Sequence, residues 1–493
     1  MALWTRAAKR LLPPLLPSSL SPRRPLLARS RSVLSVVPQL RASIPASLPA
    51  IHRLVENYER DLQLFAPIER TESEVVFANN HLRLSSIDVV GFDYDYTLCH
   101  YTDELQYLIY AMARDYMVHK LRYPEGVSVL QYDPTFAIRG LAIDKQKGLL
   151  CKISSHQKLS NTAVFRGRER LSRDEIIELY GGSKHISVRD RADNMKPLND
   201  LFSVAHACLF ADVVQYMMEH HIEYEPIALV EDVDHAITNV HLSGEMHKEV
   251  LRDLTRFIEP NLTLRPLLER MRNCGKKSFL CTNSSFSYVN AGLRYMLGDD
   301  WRDLFDVVST SARKPSFYTR QRSFRVLDIE HKQVQWHAVQ ALDRGDVYTQ
   351  GSMHQLSKLA GWVGNRVLYI GDNLFSDLVE PSRANGWRTG AIIRELEDEM
   401  RVQRTPGYQW LAFQIDKVEQ LMRSIQNELR SAPTQNHAFV DELVTIHETL
   451  QMEMDNLMNV NFGSVFRADT YPSQFAFIVQ RYVDIYSARL ENF

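Results

Sequence analysis

Short apolar runs bounded by turn residues recur along the middle of this chain. Four of them, at residues 87–92, 277–281, 305–309 and 365–370, have the length and composition of buried β-strands. Apolar positions at helical spacing follow the first run, from Glu104 to Leu121. Strands that alternate with helices in this way predict an α/β fold with a parallel, doubly wound sheet.

The segment between the first and second runs has a different pattern. It predicts short strands at 127–132, 137–144 and 148–153, with a hairpin turn from Asp144 to Gly148. Residues 160–260 are expected to be mainly helical and irregular. The alternation of strands and helices resumes only at the second apolar run.

After residue 393 the pattern becomes helical. Amphipathic stripes predict helices over 410–425 and 439–457, separated by a turn at Ala432-Pro433, and a final helix over 474–490. A further helix is predicted at 54–64. Such stripes are typical of core packing or of dimer surfaces, and protein partners are a second use for them.

Composition places the chain among ordinary soluble globular proteins. Of its 493 residues, 45% are hydrophobic and 24% are charged, and the length suggests two to three domain-sized units. The net charge of −2 gives no basic footprint for a nucleic acid polymer. No apolar run is long enough to cross a bilayer, so no transmembrane segment is expected.

The amino-terminal segment differs from the rest of the chain. It contains no Asp or Glu from Met1 to Val55, and eight basic residues up to Arg41 are scattered among Leu, Ser, Pro and Ala. They are Arg6, Lys9, Arg10, Arg23, Arg24, Arg29, Arg31 and Arg41. This composition is typical of a mitochondrial transit peptide, whereas prolines interrupt the apolar core that a secretory signal needs. A basic arm that stays attached is the alternative.

We therefore expect a mitochondrial protein, most simply in the matrix, with the cytoplasm as the alternative. Removing about 45 residues would take away those eight charges and leave a net charge of about −10. Such an acidic body suits neither nucleic acid nor an anionic membrane surface.

Five cysteines occur, and none forms a CxxC pair or has zinc-binding spacing to histidine. They are Cys99, Cys151, Cys208, Cys274 and Cys281. This usage is consistent with reduced thiols. Cys99 and Cys281 lie near candidate site residues in sequence, but we expect them to serve packing.

Two carboxylates follow the first apolar run, in the sequence Asp93-Tyr-Asp95-Tyr-Thr97-Leu98. At the end of one strand, Asp93 can attack phosphorus as a nucleophile and ligate a cation. Asp95 can protonate the leaving oxygen and then deprotonate water. Covalent catalysis would thus divide a difficult hydrolysis into two displacements. The alternative interpretation is an Asp-rich turn.

Three further groups follow later strands. Thr282 can hold a phosphoryl oxygen, Lys314 can neutralise the phosphoryl group and hold Asp93, and Asp372 can ligate Mg²⁺ together with Asp93. Asp377 can orient Lys314 or the metal's waters. Each has a plain alternative: a helix N-cap, a surface lysine or a strand-to-helix turn. Because the carboxyl ends of parallel strands converge, the four motifs together predict one site.

These motifs resemble those of the haloacid dehalogenase-like superfamily, and DxDxT favours its phosphatase or phosphomutase branches. More narrowly, the chain resembles the cytosolic purine 5′-nucleotidase family, closest to its 5′-nucleotidase-domain-containing, mitochondrial-type members. The narrower resemblance rests on Gly91-Phe-Asp-Tyr-Asp-Tyr-Thr-Leu, Ala137-Ile-Arg-Gly-Leu, Thr282-Asn-Ser, Ala312-Arg-Lys-Pro, Tyr369-Ile-Gly-Asp-Asn-Leu-Phe-Ser-Asp, Gly386-Trp-Arg-Thr and Gly463-Ser-Val-Phe-Arg.

The resemblance implies a Rossmann-like core with a large α+β cap inserted between Thr97 and Thr282, and a helical carboxyl-terminal extension. It implies an aspartyl-phosphate at Asp93, a nucleoside monophosphate substrate and a homo-oligomer. Mg²⁺ would be bound by Asp93, Asp372 and the backbone carbonyl of Asp95. The residues implied to bind substrate are Asn283, Ser284, Phe202 and His241.

Applied to the whole chain, the pattern and the resemblance together give a division into five parts. These are residues 1–50 as presequence, 51–123 as the first part of the core, 124–260 as the cap, 261–395 as the second part of the core, and 396–493 as a helical region.

The chain departs from the family pattern in the cap. Where the family recognises base and sugar with Arg and Asp, this chain aligns Asp234 and Thr238, and Phe202 is followed by Ser203 where the family has Asn. His241 is retained. Two hypotheses follow: an active Mg²⁺-dependent phosphatase, either a 5′-nucleotidase of altered range or one acting on a non-nucleotide metabolite, and a weak or inactive relative that binds or regulates.

Overall fold

The computed structural model describes residues 37–67, 75–429 and 438–493. The described chain forms two compact units. One combines residues up to 66 with residues 409–447, and the other combines residues 67–408 with 448–493. The larger unit carries all four sequence motifs. The predicted presequence falls mostly on residues 1–36, and these lie outside the described residues, as does the predicted turn at Ala432-Pro433.

Strands and helices alternate along much of the described chain. The strands are β1 Phe77–Ala78, β2 Val89–Phe92, β3 Leu141–Asp144, β4 Leu149–Ile153, β5 Leu159–Arg166, β6 Glu169–Arg170, β7 Met195–Leu198, β8 Lys277–Cys281, β9 Val307–Thr310, β10 Phe324–Asp328, β11 Gln333–Val334, β12 Val347–Gln350, β13 Val367–Gly371, β14 Arg388–Ile392, β15 Arg467–Ala468, β16 Tyr471–Pro472 and β17 Ile485–Ser487. The α-helices are α1 Val37–Ser43, α2 Pro49–Leu62, α3 Glu104–His119, α4 Arg173–Leu179, α5 Val188–Asn194, α6 Ser203–Glu219, α7 Pro226–Leu242, α8 Glu245–Arg252, α9 Leu254–Phe257, α10 Leu264–Asn273, α11 Phe286–Leu297, α12 Ser316–Thr319, α13 Met353–Ala360, α14 Glu380–Asn385, α15 Glu395–Gln403, α16 Pro406–Leu429, α17 Ala438–Asn456 and α18 Gln474–Tyr482.

A ten-stranded sheet forms the centre of the larger unit, in the order β1-β17-β14-β13-β2-β8-β9-β12-β10-β11. The seven strands from β17 to β12 run parallel, and antiparallel pairs close both edges. Residues Ile370, Phe92, Leu280 and Val308 lie side by side on the four middle strands. The mixed α/β architecture with a parallel sheet is therefore confirmed, and the four strand ends that carry the motifs are neighbours.

A second sheet lies between β2 and β8 in sequence. Its order is β6-β5-β4-β3-β7, and every pair is antiparallel. The predicted hairpin at Asp144–Gly148 is confirmed, and Gly148 has a positive φ of 64° there. We call residues 104–260, which contain this sheet and helices α3 to α9, the insertion.

Several sequence predictions for the insertion are wrong. Residues 125–129 form a 3₁₀ helix rather than part of a strand. The expectation of a mainly helical and irregular segment over 160–260 missed most of β5, together with β6 and β7. Helix α3 packs chiefly on α6 and α7 rather than on the parallel sheet, and Tyr110 donates a 2.6 Å hydrogen bond to Asp212.

The smaller unit is built from helices. Phe65 packs on Trp410 and Phe413, with ring centroids 5.0 and 5.4 Å apart, and Lys417 pairs with Asp61. Part of the apolar stripe of α16 is buried, as expected for core packing: Ile415, Val418, Leu421 and Ile425. Helix α1 lies inside the segment predicted as presequence, where Val37 and Leu40 are buried.

The prediction of one final helix over 474–490 is wrong beyond Tyr482. Helix α18 ends there, and β17 then joins the central sheet parallel to β14. The region predicted as a helical extension therefore contributes one strand, β17, to the central sheet. No helix in the described ranges is both long and apolar enough to span a membrane.

Candidate active site

Lys314 connects two of the predicted acids. Its ammonium lies 2.8 Å from Oδ1 of Asp93 and donates hydrogen bonds of 2.6 Å to Oδ1 of Asp377 and 3.2 Å to the Tyr369 hydroxyl. Burial opposes the charge on Lys314, but Asp377 and Asp93 outweigh it and raise the lysine pKa. Lys314 is therefore a fixed cation beside the nucleophile candidate, rather than a surface lysine.

Asp95 is held by two hydroxyl groups. Ser284 donates a 2.7 Å hydrogen bond to its Oδ2, and Tyr101 donates one of 2.6 Å to its Oδ1. Burial and the nearby charge of Asp93 raise the pKa of Asp95 to about 6. A carboxyl group with such a pKa can both give and accept a proton near neutral pH, which is what a general acid–base group requires.

The Thr282-Asn-Ser motif makes contacts that support the other site residues. The Thr282 side chain is fully buried, and its Oγ1 accepts a 3.2 Å hydrogen bond from the Ser284 N–H. Asn283 accepts from the Lys314 N–H at 2.6 Å and donates to the Lys314 carbonyl at 3.1 Å. Asn283 and Ser284 thus position Lys314 and Asp95, and direct substrate binding by these two residues stays a prediction.

Three carboxylates could hold a cation. Oxygen atoms of Asp93, Asp372 and Asp377 lie within 4.8 Å of one another, and all three residues are buried. Oδ2 of Asp372 is buried and has no hydrogen-bond partner within residues 37–67, 75–429 and 438–493. Burial, then the charge of Asp377, raises the pKa of Asp372 well above its usual range.

This donor set fits Mg²⁺, a hard cation that binds a few carboxylates. One ammonium does not balance three buried carboxylates, so a divalent cation would supply the missing charge. Asp93 and Asp372 are the predicted side-chain ligands, and Asp377 is mainly committed to Lys314.

Gly371 allows Asp377 to approach. A Cβ at Gly371 would lie 2.5 Å from the Cβ of Asp377, which no side chain could occupy without displacement. Residues Leu374–Val379 then form a π-helical turn, in which Asn373 caps the N–H groups of Phe375 and Ser376. Such turns are frequent at functional sites, and this one brings Asp377 back toward the strand end.

Aromatic side chains of the insertion lie beside the catalytic loop. Phe202 packs against Tyr96 and Tyr101 at centroid distances of 4.9 and 6.3 Å, and against His241 at 5.2 Å. Burial lowers the pKa of His241 to about 4, so its imidazole is neutral near pH 7. The two insertion residues predicted to bind substrate therefore lie together, and the tyrosine that bonds Asp95 packs on one of them.

The altered position Asp234 has a partner of its own. It forms an ion pair with Lys196 of β7, and its Oδ1 lies 3.9 Å from Nδ1 of His206. Ser203 donates from its N–H and hydroxyl to Asp200, at 2.8 and 2.6 Å. Asp234 and Ser203, which stand where the family pattern has other residues, thus make their contacts within the insertion.

Sequence reasoning missed three residues that contact the site. Tyr101 bonds Asp95, Arg139 donates to the backbone carbonyl of Asp372, and Tyr369 bonds both Lys314 and the Cys281 carbonyl. Arg139 and Tyr369 stand inside motifs that signalled the family, but motif membership alone did not assign them a contact. Burial raises the thiol pKa values of Cys99 and Cys281 to about 12, in keeping with packing roles.

Known proteins that resemble this chain identify its family. The model of the 5′ nucleotidase family matches residues 76–493. A 5′-nucleotidase domain-containing protein of Dictyostelium discoideum is 36% identical over 452 residues, covering 90% of this chain and 76% of its own. 5′-Nucleotidase domain-containing protein 2 of Homo sapiens is 38% identical over 426 residues, covering 84% and 80%.

The corresponding protein of Rattus norvegicus is 37% identical over 422 residues, covering 84% of this chain and 76% of its own. The family match spans the described strands of the central sheet and the insertion. The narrower resemblance, to 5′-nucleotidase-domain-containing proteins, is thereby confirmed. The chain belongs to the 5′-nucleotidase family and, with it, to the phosphomonoester hydrolases.

Proposed function

We propose that this protein is a Mg²⁺-dependent phosphatase of the haloacid dehalogenase type that hydrolyses nucleoside 5′-monophosphates through a phosphorylated Asp93. One observation supports it above all. Lys314 pairs with both Asp93 and Asp377, while Asp95 is held beside them by Ser284. In this arrangement Asp93 would act as the nucleophile, Lys314 as a fixed cation and Asp95 as the acid–base group, at the ends of neighbouring strands.

In the first displacement, a carboxylate oxygen of Asp93 attacks phosphorus and the bond to the ester oxygen breaks. Protonated Asp95 gives its proton to that leaving oxygen, which departs as an alcohol. In the second, ionised Asp95 takes a proton from water, whose oxygen attacks phosphorus. The bond to Asp93 breaks, and inorganic phosphate is released.

The phosphoryl oxygens carry negative charge during both displacements, and the site must stabilise that charge. The Lys314 ammonium is buried and fixed, so it can stabilise that charge without reorganising during the reaction. The Thr282 hydroxyl can donate to a phosphoryl oxygen while its oxygen accepts from Ser284. Mg²⁺, held by Asp93 and Asp372, would supply further positive charge when bound.

A nucleoside is the leaving group that the insertion suits best. The Phe202 ring can stack on a base, and neutral His241 beside it can exchange hydrogen bonds with a base or sugar. A non-nucleotide phosphomonoester is the second candidate, favoured by the Asp234–Lys196 ion pair where the family has a base-reading arginine.

Phosphate release from a panel of purine, pyrimidine and deoxynucleoside monophosphates and sugar phosphates tests this function. The proposal predicts release that depends on Mg²⁺ and disappears in Asp93→Asn, with nucleotides preferred over sugar phosphates. A preference for sugar phosphates would favour the second candidate. If the protein folds and binds metal but releases phosphate from none of these substrates, the binding or regulatory role is supported.

We also propose that the protein is mitochondrial. The absence of acidic residues before residue 56 and the eight scattered basic residues up to Arg41 support import. Fluorescent fusions of the full chain and of a chain lacking residues 1–36 test this. Mitochondrial localisation of the full chain alone is expected, and equal distribution of both would contradict it.

A further inference from the structure

Arg139 is a buried arginine that the chemistry above does not use. Its side chain is completely buried, and its guanidinium makes a fork with Glu395, donating from Nε at 2.8 Å and from Nη2 at 2.6 Å. The third nitrogen, Nη1, donates at 3.2 Å to the backbone carbonyl of Asp372. All three nitrogens are therefore engaged, as the planar guanidinium geometry allows.

These contacts connect separate parts of the larger unit. Glu395 is the first residue of α15, and Asp372 follows β13 at the metal site. The Arg139 guanidinium also lies 4.9 Å from the ring centre of Phe475 in α18. Arg139 itself stands two residues before β3, at the start of the insertion sheet, so one side chain joins that sheet to the loop after β13.

The backbone carbonyl and the carboxylate of Asp372 differ in their contacts. Its carbonyl is held by Arg139, whereas Oδ2 of its carboxylate has no protein partner among the described residues. Fixing the backbone of a ligand while leaving its carboxylate available is how supporting contacts orient a metal site.

A second contact between the insertion and this loop is independent of Arg139. The side chain of Asn373 donates to Oδ2 of Asp200 at 3.5 Å, and Asp200 follows β7 of the insertion sheet. The Gly140 N–H donates at 2.7 Å to the Leu198 carbonyl of that strand. Gly140, next to Arg139, is therefore bonded to Leu198, which is two residues before Asp200, and the side chains of Arg139 and Asp200 both contact the loop at 372–373.

We propose that Arg139 is a positioning residue that fixes Asp372 as a metal ligand and so links metal affinity to the seating of the insertion on the core. The inference rests on the metal site of the proposed function. It assigns Arg139 no contact with substrate. Replacing Arg139 is therefore predicted to weaken metal binding even when no substrate is present, in addition to any effect on turnover.

The experiment measures Mn²⁺ binding to the full chain by the electron paramagnetic resonance signal of free Mn²⁺. Arg139→Lys keeps the charge but cannot form the fork, so we expect its Mn²⁺ dissociation constant to rise by about tenfold or more. Arg168→Lys is the matched control, because Arg168 also pairs with a mostly buried carboxylate, Asp212, and lies over the Phe136 ring. It is expected to keep the wild-type Mn²⁺ affinity.

Thermal midpoints of both variants separate positioning from stability. The inference is supported if both variants are destabilised equally but only Arg139→Lys binds Mn²⁺ more weakly. It is overturned if folded Arg139→Lys binds Mn²⁺ with wild-type affinity. If Arg139→Lys does not fold, Glu395→Gln is measured in its place and is also expected to bind Mn²⁺ more weakly. Wild-type Mn²⁺ affinity in Glu395→Gln would likewise overturn the inference. Absence of saturable Mn²⁺ binding in the wild type, or its retention in Asp372→Asn, would instead overturn the proposed metal site itself.

Discussion

Tyr101 donates a 2.6 Å hydrogen bond to Oδ1 of Asp95, and the same ring packs on Phe202 of the insertion. The contact joins the acid–base group to the aromatic side chains that would meet the substrate. Tyr101 is buried, so its hydroxyl cannot easily be replaced by bulk water.

Tyr101→Phe removes this hydroxyl without changing the ring. Hydrogen bonds to charged groups contribute about 1.5–3 kcal/mol, so we expect kcat to fall by roughly tenfold or more. The affinity for Mn²⁺ should not change, because in the described part of the chain the Tyr101 hydroxyl donates to Asp95 and not to Asp93, Asp372 or Asp377. Steady-state kinetics beside Tyr107→Phe, an exposed tyrosine, provide the check, and an unaltered kcat would show that Ser284 alone orients Asp95.

Lys314→Met leaves Asp93 and Asp377 buried without their cation. We expect turnover to be lost and the free energy of unfolding to fall by about 3–5 kcal/mol when metal is chelated. Adding Asp377→Asn removes one of the uncompensated charges, so the double variant should regain part of that stability without regaining activity. Denaturant unfolding in chelator and phosphate release measure the two properties. Recovery of activity in the double variant would contradict the role of Lys314 in stabilising the phosphoryl group.

Phe202→Ala separates a nucleotidase from a phosphatase with little leaving-group preference. Stacking of a base on an aromatic ring contributes about 1–3 kcal/mol, so kcat/KM for a nucleoside monophosphate should fall by roughly tenfold, mainly through KM. For p-nitrophenyl phosphate the same variant should change little. Equal losses on both substrates would indicate that Phe202 supports the loop containing Tyr96 and not a base.

Glu399 predicts a pH dependence of stability away from the active site. Burial raises its folded-state pKa to about 7 from a usual value of 4.5, although Ser464 and the Val465 N–H donate hydrogen bonds to it. The folded protein therefore binds the proton more tightly. Its stabilising contribution is complete below about pH 4.5 and is lost as pH rises through about 7. Burial lowers the pKa of nearby Lys152 to about 8. The titration of Lys152 therefore changes the stability with pH mainly above about pH 7.5.

The expected result is a thermal midpoint that falls between pH 5 and pH 7.5 in the wild type and falls less in Glu399→Gln. Glu178→Gln changes an exposed glutamate and serves as the control. Identical slopes in the wild type and Glu399→Gln would contradict the assignment.

The central sheet and the floor of the site were predictable because their signals are local. Each of the four apolar runs forms a strand, and the polar residues after them meet because neighbouring parallel strands end together. The Lys314 contacts with Asp93 and Asp377 follow from that placement. The sequence therefore contained most of the information needed for the candidate catalytic residues.

The missed features depend on pairing between distant segments. Strand β17 has only three residues and exists because β14 and β1 pair with it. Strand β5 lacks a simple alternation of apolar and polar residues, and antiparallel partners on both sides define it. The sequence around Arg139 does not indicate its partner, because Glu395 is 256 residues away. The same holds for Lys196, whose partner Asp234 is 38 residues away.

The role of Asp93 is tested by phosphate release from nucleoside monophosphates by the chain from residue 37 onward, with and without Mg²⁺, beside Asp93→Asn. If Asp93 is the nucleophile, the wild type releases phosphate in a Mg²⁺-dependent way and an acid-stable phosphoenzyme can be trapped on Asp93, and neither occurs in Asp93→Asn. Phosphate release that persists in Asp93→Asn would contradict the central claim that Asp93 is the nucleophile.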